Sequence, residues 1–247
     1  MRLLAALLLS AVTGGPLYQV SPPATIVDLD SSVIKGDPVQ LTWAPTQGQF
    51  YLQTVEGTDA NAKLRHYLIT LGSAKPQTVK AEPDWATKYW AFKSTRNVPG
   101  RSDLLIEVRE SRKTGQIPTQ SLRDKAKGMD SGATAMAGAA EAANDFANAA
   151  MVRSLVLKNE VIGEFVDAPL LPGLTFGWSP EDLHAVAYKD QHGKLAVFDY
   201  DSGDRQEVDE TKDILLPAWS LEENKIVFLE RTGRKKYSLM QVDINRR

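Results

Sequence analysis

Gly177-Trp178-Ser179-Pro180-Glu181 and Pro217-Ala218-Trp219-Ser220-Leu221 place two tryptophans 41 residues apart, and the same passage follows each. After Trp178 comes the apolar run His184-Ala185-Val186-Ala187-Tyr188, a polar turn at Gln191-His192-Gly193 and a second run, Leu195-Ala196-Val197-Phe198-Asp199. After Trp219 come Ile226-Val227-Phe228-Leu229, a turn at Thr232-Gly233 and Tyr237 to Asp243. Alternating apolar and polar residues, enriched in β-branched and aromatic types, point to strands. Self-similarity at about 40–45 residues marks a propeller blade or a similar repeat.

Working back along the chain, Leu41-Thr42-Trp43-Ala44-Pro45 and Pro83-Asp84-Trp85-Ala86-Thr87 carry two further tryptophans, with spacings of 42 (Trp43 to Trp85) and 93 (Trp85 to Trp178). The first repeat, from Val39, is expected to hold strands at Phe50–Val55, His66–Leu71 and Gln77–Val79, with a turn at Gly57–Asn61. The second is expected to hold strands at Tyr89–Ser94 and Leu104–Val108, separated by a loop with Pro99-Gly100. Two short strands, Thr25–Asp30 and Val33–Gly36, precede the first repeat, and either is placed to complete the last blade and close a ring without a free edge. An open array and a portion of a larger propeller are the alternatives.

The 93-residue gap exceeds one period by about 50 residues, and an alanine block fills it. Ser131 to Ala150 reads SGATAMAGAAEAANDFANAA, free of Trp, Ile and Val. Alanine is the best helix former, and Met136, Ala140, Ala143 and Ala147 share one face. A helical insertion in the second repeat is therefore expected at about 117–151, although Gly128, Gly132 and Gly138 interrupt it. Strand structure is expected to resume at Val152–Leu157.

Composition bounds the function. Hydrophobic residues make up 43% and charged residues 24% of the 247, with a formal net charge of −2. That balance suits a soluble globular protein and makes no case for nucleic acid or an anionic membrane as partner. Residues 1–15 combine Arg2, an apolar run and small residues, the three parts of a secretory signal. The run is shorter than the roughly 20 residues a membrane span needs, so residues 16–247 are expected as one exported domain, periplasmic or secreted. The chain has no cysteine, which excludes thiol catalysis and zinc–thiolate sites.

The third and fourth repeats resemble those of TolB-like β-propellers, the PD40 or WD40-like class. GWSPEDLHAVAYKDQHGKLAVFDYDSG, from Gly177, and LPAWSLEENKIVFLERTGRKKYSLMQVDI, from Leu216, match its pattern of aromatic-Ser-Pro-acidic, strand, charged turn, strand ending in Asp, then Thr-Gly or Ser-Gly. The first two repeats match in part, since Trp43 and Trp85 lack the following Ser-Pro. The resemblance covers about residues 38–247, interrupted at 113–151. It implies an all-β propeller of about four blades that makes protein contacts through loops and the channel mouth. Similar repeats also form the gating propeller of prolyl-oligopeptidase-type peptidases, whose hydrolase domain would be missing here.

The chemical candidates reduce to structural roles. Gly177-Trp178-Ser179-Pro180-Glu181 nearly spells G-x-S-x-G, but Glu181 replaces the last glycine and no helix follows. Ser32-Val33-Ile34-Lys35 and Lys113-Thr114-Gly115 match S-x-x-K and K-T-G, yet the first sits in a β-branched stretch instead of opening a helix. His66, His184 and His192 lack metal-ligand spacing; His66 and His184 are expected in strands and His192 in a turn. Asp199, Asp201, Gly203, Asp204 and Glu210 echo a calcium loop without its flanking helices. An acidic run at 199–213 and a basic run at 231–247 read as solvated turns.

No catalytic, cofactor or metal residue is therefore assigned. The expected function is a non-catalytic exported interaction scaffold, with a partner surface on 121–150 where Met129, Met136, Phe146 and Met151 could line a helix. The gating portion of a serine peptidase is the enzymatic alternative. A small-ligand or lectin propeller is the third reading, and an aromatic cluster at one mouth, which Tyr89 and Trp90 could supply, would favour it.

Overall fold

A computed structural model describes residues 18–57, 62–73, 75–93, 97–98, 100–105, 107–113, 150–157, 159–166, 176–180, 183–190 and 192–246. The segments 1–15 and 117–149, expected as a signal and as a helical insertion, lie outside these residues. The described fold is predominantly β, with one α-helix.

Three sheets share one plan. The first is β3 (Asp37–Trp43), β4 (Gln49–Glu56), β5 (Lys63–Thr70) and β6 (Gln77–Val79), antiparallel in chain order. The third is β12 (Phe176–Trp178), β13 (Ala185–Lys189), β14 (Leu195–Asp199) and β15 (Arg205–Glu207). The fourth is β16 (Ile214–Trp219), β17 (Lys225–Gly233) and β18 (Lys236–Arg246), and its outer side is completed by β1 (Tyr18–Val20) and β2 (Ala24–Leu29). Each sheet's first strand ends on a tryptophan, Trp43, Trp178 or Trp219. The 41-residue spacing is thus a true structural repeat.

The second unit departs from the plan. A hairpin of β7 (Asn97–Val98) and β8 (Arg101–Leu105) precedes a three-stranded sheet of β9 (Glu107–Lys113), β10 (Ala150–Leu157) and β11 (Glu160–Val166). The expected strand at 104–108 is therefore split between β8 and β9. β9 and β10 pair with each other, so the long connection leaves and re-enters this sheet between neighbouring strands. Ala150 and Met151, assigned to the insertion from sequence, belong to β10.

The strand expected at Tyr89–Ser94 is instead α1 (Asp84–Lys93), so Trp85 starts a helix and not a blade. Aromatic content suggested β structure, but the local start signals favour a helix. The Pro83 carbonyl accepts the amides of Ala86 and Thr87 at 2.9 and 3.2 Å. Asp84 in the first turn suits the helix dipole. The buried residues Ala86, Tyr89 and Lys93 follow the three/four spacing of a helix face. Val33–Gly36 is likewise no strand: residues 31–33 form a turn, in which Val33 and Ile34 amides bond the Asp30 carbonyl. Thr232-Gly233 still belong to β17, and the turn comes at Arg234-Lys235.

Both faces of the fourth sheet are buried. Leu216, Ala218, Val227, Leu229 and Leu239 pack with Leu41, Trp43, Phe50 and Ile69 of the first sheet. On the opposite face Trp219, Ile226, Phe228 and Val242 pack with Ala185, Ala187, Leu195 and Val197 of the third. The third sheet's other face, with Trp178, Val186, Tyr188 and Phe198, meets Val98 of β7 and Leu157 of β10. Each repeat tryptophan therefore fills the gap toward the unit before it, with the first sheet following the fourth. β3 also lies against β16, β16 against β12, and α1 against both β12 and β3.

The close approach of β12 and β16 decides one residue. A Cβ on Gly177 would stand 2.6 Å from the Pro217 carbonyl oxygen, so only glycine fits there. The glycine of the near-hydrolase motif is a packing requirement.

The seam between first and last sheets depends on β2. Leu29 is fully buried, pairs with Tyr237 of β18 and joins the core shared with the first sheet. Leu29→Ala is expected to cost about 2–5 kcal/mol, read as a lower urea midpoint with an unchanged slope.

Candidate functional site

The candidate site is an aromatic cleft of about 350 Å³ where the first sheet, the fourth sheet and α1 meet. One wall is the helix face Trp85, Lys88, Tyr89 and Phe92, which stack at the i, i+3, i+4, i+7 positions. The others are Trp43, Ala44, Pro45 and Gln47 at the β3–β4 turn, and Ser220 to Glu223 at the β16–β17 turn. Trp43 and Tyr89 are almost wholly buried, while Trp85 and Phe92 are half-buried and Leu221 is exposed.

Hydrogen bonds fix these walls. The Trp43 indole Nε1 donates to the Ala218 carbonyl at 2.9 Å, tying the first sheet to the fourth. The Tyr89 hydroxyl donates to the Trp219 carbonyl, tying α1 to the same strand. Burial pushes the Tyr89 phenol well above its ordinary range, so it stays protonated as that donor. Ser220 shapes the turn, its Oγ accepting the amides of Glu222 and Glu223 at 3.3 and 3.0 Å. Glu223 pairs with Lys225 and accepts from Gln47, and these bonds hold its carboxyl below the usual range.

Lys93 lies at the far end of the helix and carries no acidic partner among the described residues. Its Nζ donates to the Leu41 carbonyl of β3 at 3.2 Å and the Leu216 carbonyl of β16 at 3.4 Å. Leu216 adopts φ 56° within the β-bulge between Leu215 and Ala218. The Trp90 ring centroid lies 5.1 Å from the same nitrogen. Only 1% exposed, the amine is driven well below its ordinary pKa by desolvation.

Of the two rings weighed for an aromatic mouth, Tyr89 lines the cleft and Trp90 does not, whereas Ser179, His66, His184, His192 and Asp199 fall outside it and have structural work. Ser179 is 2% exposed; its Oγ accepts the Ala185 amide at 2.9 Å and donates to the Pro180 carbonyl at 3.0 Å. His184 precedes β13 instead of lying in it, at φ 50°, stacks on Tyr200 and bonds Asp201. His66 does lie in β5, 2.7 Å from the Tyr51 hydroxyl, whose pKa burial pushes up to about 12. His192 sits in a turn, with its amide bonded to the Asp190 carboxylate at 2.8 Å.

The calcium-like loop is a strand-end clamp. One Asp199 oxygen accepts the Asp201 and Ser202 amides at 2.9 and 2.8 Å. The other accepts the Tyr18 hydroxyl at 2.9 Å and meets Arg246 at 3.2 Å. Burial and then the Asp199 charge raise the Tyr18 phenol above its ordinary range. The acidic and basic runs also meet at Asp213 and Arg231, 3.6 Å apart. Among the described residues no cluster of three His, Cys, Asp or Glu is placed to hold a metal ion, and no helix is long and apolar enough to cross a membrane.

No protein-family model matches the chain, and no curated protein matches its sequence.

Lys93 gives the site a pH signature. Its folded pKa is depressed, so between that value and the unfolded value of about 10.4 the unfolded state binds the extra proton. Stability therefore rises with pH through that window and is lost as pH falls. Lys93→Met leaves the Leu41 and Leu216 carbonyls without their donor and is expected to melt lower than wild type at pH 10, by a few degrees (about 2–4 °C per kcal/mol at this size). The gap should narrow toward pH 7, because only the wild type loses stability as pH falls, as followed by paired thermal melts.

Proposed function

We propose that this chain is a non-catalytic ligand-binding module built as a small β-propeller, with the aromatic cleft as its recognition site. The cleft is the single observation that carries the reading. Four aromatic rings, a proline and a leucine surround a cavity at the lower end of the roughly 300–1,000 Å³ of small-ligand sites, with a few polar groups at its rim. This favours the small-ligand propeller over a scaffold acting through residues 121–150.

Three features support the propeller. Tryptophans at the same strand position each fill the gap toward the preceding sheet. The strands β3, β16 and β12 run in contact, with α1 in the fourth place of that circuit. β1 and β2 pair along the outer side of β18, so the last sheet is completed by strands that precede the first one in sequence. The non-catalytic reading rests on Ser179, whose hydroxyl is spent inside its own turn. Export to a periplasm or beyond rests on the N-terminal sequence alone.

Ligand-observed NMR with a library of small aromatic fragments tests the proposal. Saturable hits are expected, with Trp85→Ala weakening them about ten-fold, the scale of one lost stacking contact of 1.4 kcal/mol, and Trp85→Phe retaining most of the affinity. A set of hits indifferent to Trp85→Ala would remove the cleft as the site. Ser179→Ala is expected to lower stability by about 1–3 kcal/mol, through the unmet Ala185 amide. Serine-directed fluorophosphonate should label neither protein; labelling of wild type lost in the variant would restore the peptidase reading.

A further inference from the structure

The charged groups at the rim add a chemical class to the ligand. Lys88 reaches the cleft from the α1 wall and Glu222 from the β16–β17 turn, and both are exposed. Among the described residues no ion pair engages either side chain. Glu223, by contrast, is neutralised by Lys225. The rim thus presents one uncommitted cation and one uncommitted anion on different walls, above an apolar, aromatic interior.

We propose that the cleft binds a small zwitterion with an apolar body: an apolar or aromatic α-amino acid, its carboxylate at Lys88, its ammonium at Glu222 and its side chain among Trp85, Tyr89, Phe92 and Trp43. This rests on the cleft being the recognition site. Three arguments favour that class. The cavity suits one ring with a short polar arm better than a nucleotide or an oligosaccharide. A purely anionic ligand would leave Glu222 repelling it, and a purely cationic one would meet Lys88 in the same way. The interior offers ring faces and aliphatic surface, while the polar side chains lie at the margin, the division that an amino acid with an apolar side chain itself carries.

Titration calorimetry on the whole chain with three probes of one skeleton tests this. The probes are L-phenylalanine, phenethylamine, which keeps only the cation, and 3-phenylpropionate, which keeps only the anion. Phenylalanine is expected to bind tightest, and Lys88→Met and Glu222→Gln are each expected to weaken it about three- to five-fold, the scale of an exposed ion pair. Phenethylamine should be weakened by Glu222→Gln and strengthened by Lys88→Met, and phenylpropionate should show the reverse. Both substitutions are at exposed positions, so thermal melts should be unchanged. A single-charge probe matching phenylalanine, or phenylalanine binding indifferent to both substitutions, overturns the zwitterion while leaving a Trp85-dependent cleft in place. If none of the three binds saturably, the amino-acid ligand falls. If the aromatic fragments also fail, the cleft falls with it.

Discussion

The first strand of each of the three repeat sheets is a sheet edge, and its outward carbonyls must find donors in a place that side chains largely fill. β3, β12 and β16 all have this problem, and they lie close together. A helix supplies the answer from its side chains. Lys93 gives its amine to Leu41 and Leu216, and Tyr89 gives its hydroxyl to Trp219. An unmet buried backbone group costs about as much as a lost hydrogen bond or more, so a desolvated lysine is tolerable where two carbonyls would otherwise go without. The position of α1, the bulge at Leu216 and the glycine at 177 are all adjustments to that crowded meeting of edges.

The cleft is a by-product of the same arrangement. A helix is rounder than a strand and cannot follow the groove between two neighbouring sheets. Where α1 crosses the seam of first and fourth sheets, the face bearing Trp85, Lys88, Tyr89 and Phe92 stands away from the two turns opposite. Aromatic side chains line the gap, and the β16–β17 turn, fixed by Ser220, brings Glu222 and Glu223 to its rim. One wall of the cleft and the helix that stabilises the strand edges are thus the same element seen from two sides.

How much of this the sequence carried depends on how local the signal was. Trp178 and Trp219 announced their sheets because strand, turn and strand follow each within a few residues, and alternation separates the two buried faces, Val186 and Tyr188 from Ala185 and Ala187. Trp43 was read correctly for the same reason. Trp85 misled, since Tyr89-Trp90-Ala91-Phe92 is rich in strand-favouring rings, yet Pro83-Asp84 and the spacing of Ala86, Tyr89 and Lys93 held the helical alternative. β2 was legible as one of two candidates to add a strand to the last sheet, and its pairing with β18 distinguishes it from residues 33–36. The cleft was illegible, because its walls come from three segments separated by up to about 175 residues and no pattern links Pro45, Trp85 and Leu221. Ser179, His184 and Asp199 drew attention by residue type, whereas their work is to hold turns.

Tyr18 and Arg246 face each other across β1 and β18, and Asp199 binds both side chains. The fourth sheet is therefore assembled from segments more than 200 residues apart along the chain. During synthesis β1 and β2 emerge about 200 residues before β18, so this sheet is completed only when β18 arrives. The arrangement makes the seam a checkpoint on synthesis through β18: a chain cut short before it leaves β1 and β2 unpaired, the core shared by the first and fourth sheets unfilled, and the two turns that form the cleft without the backing that holds them in place.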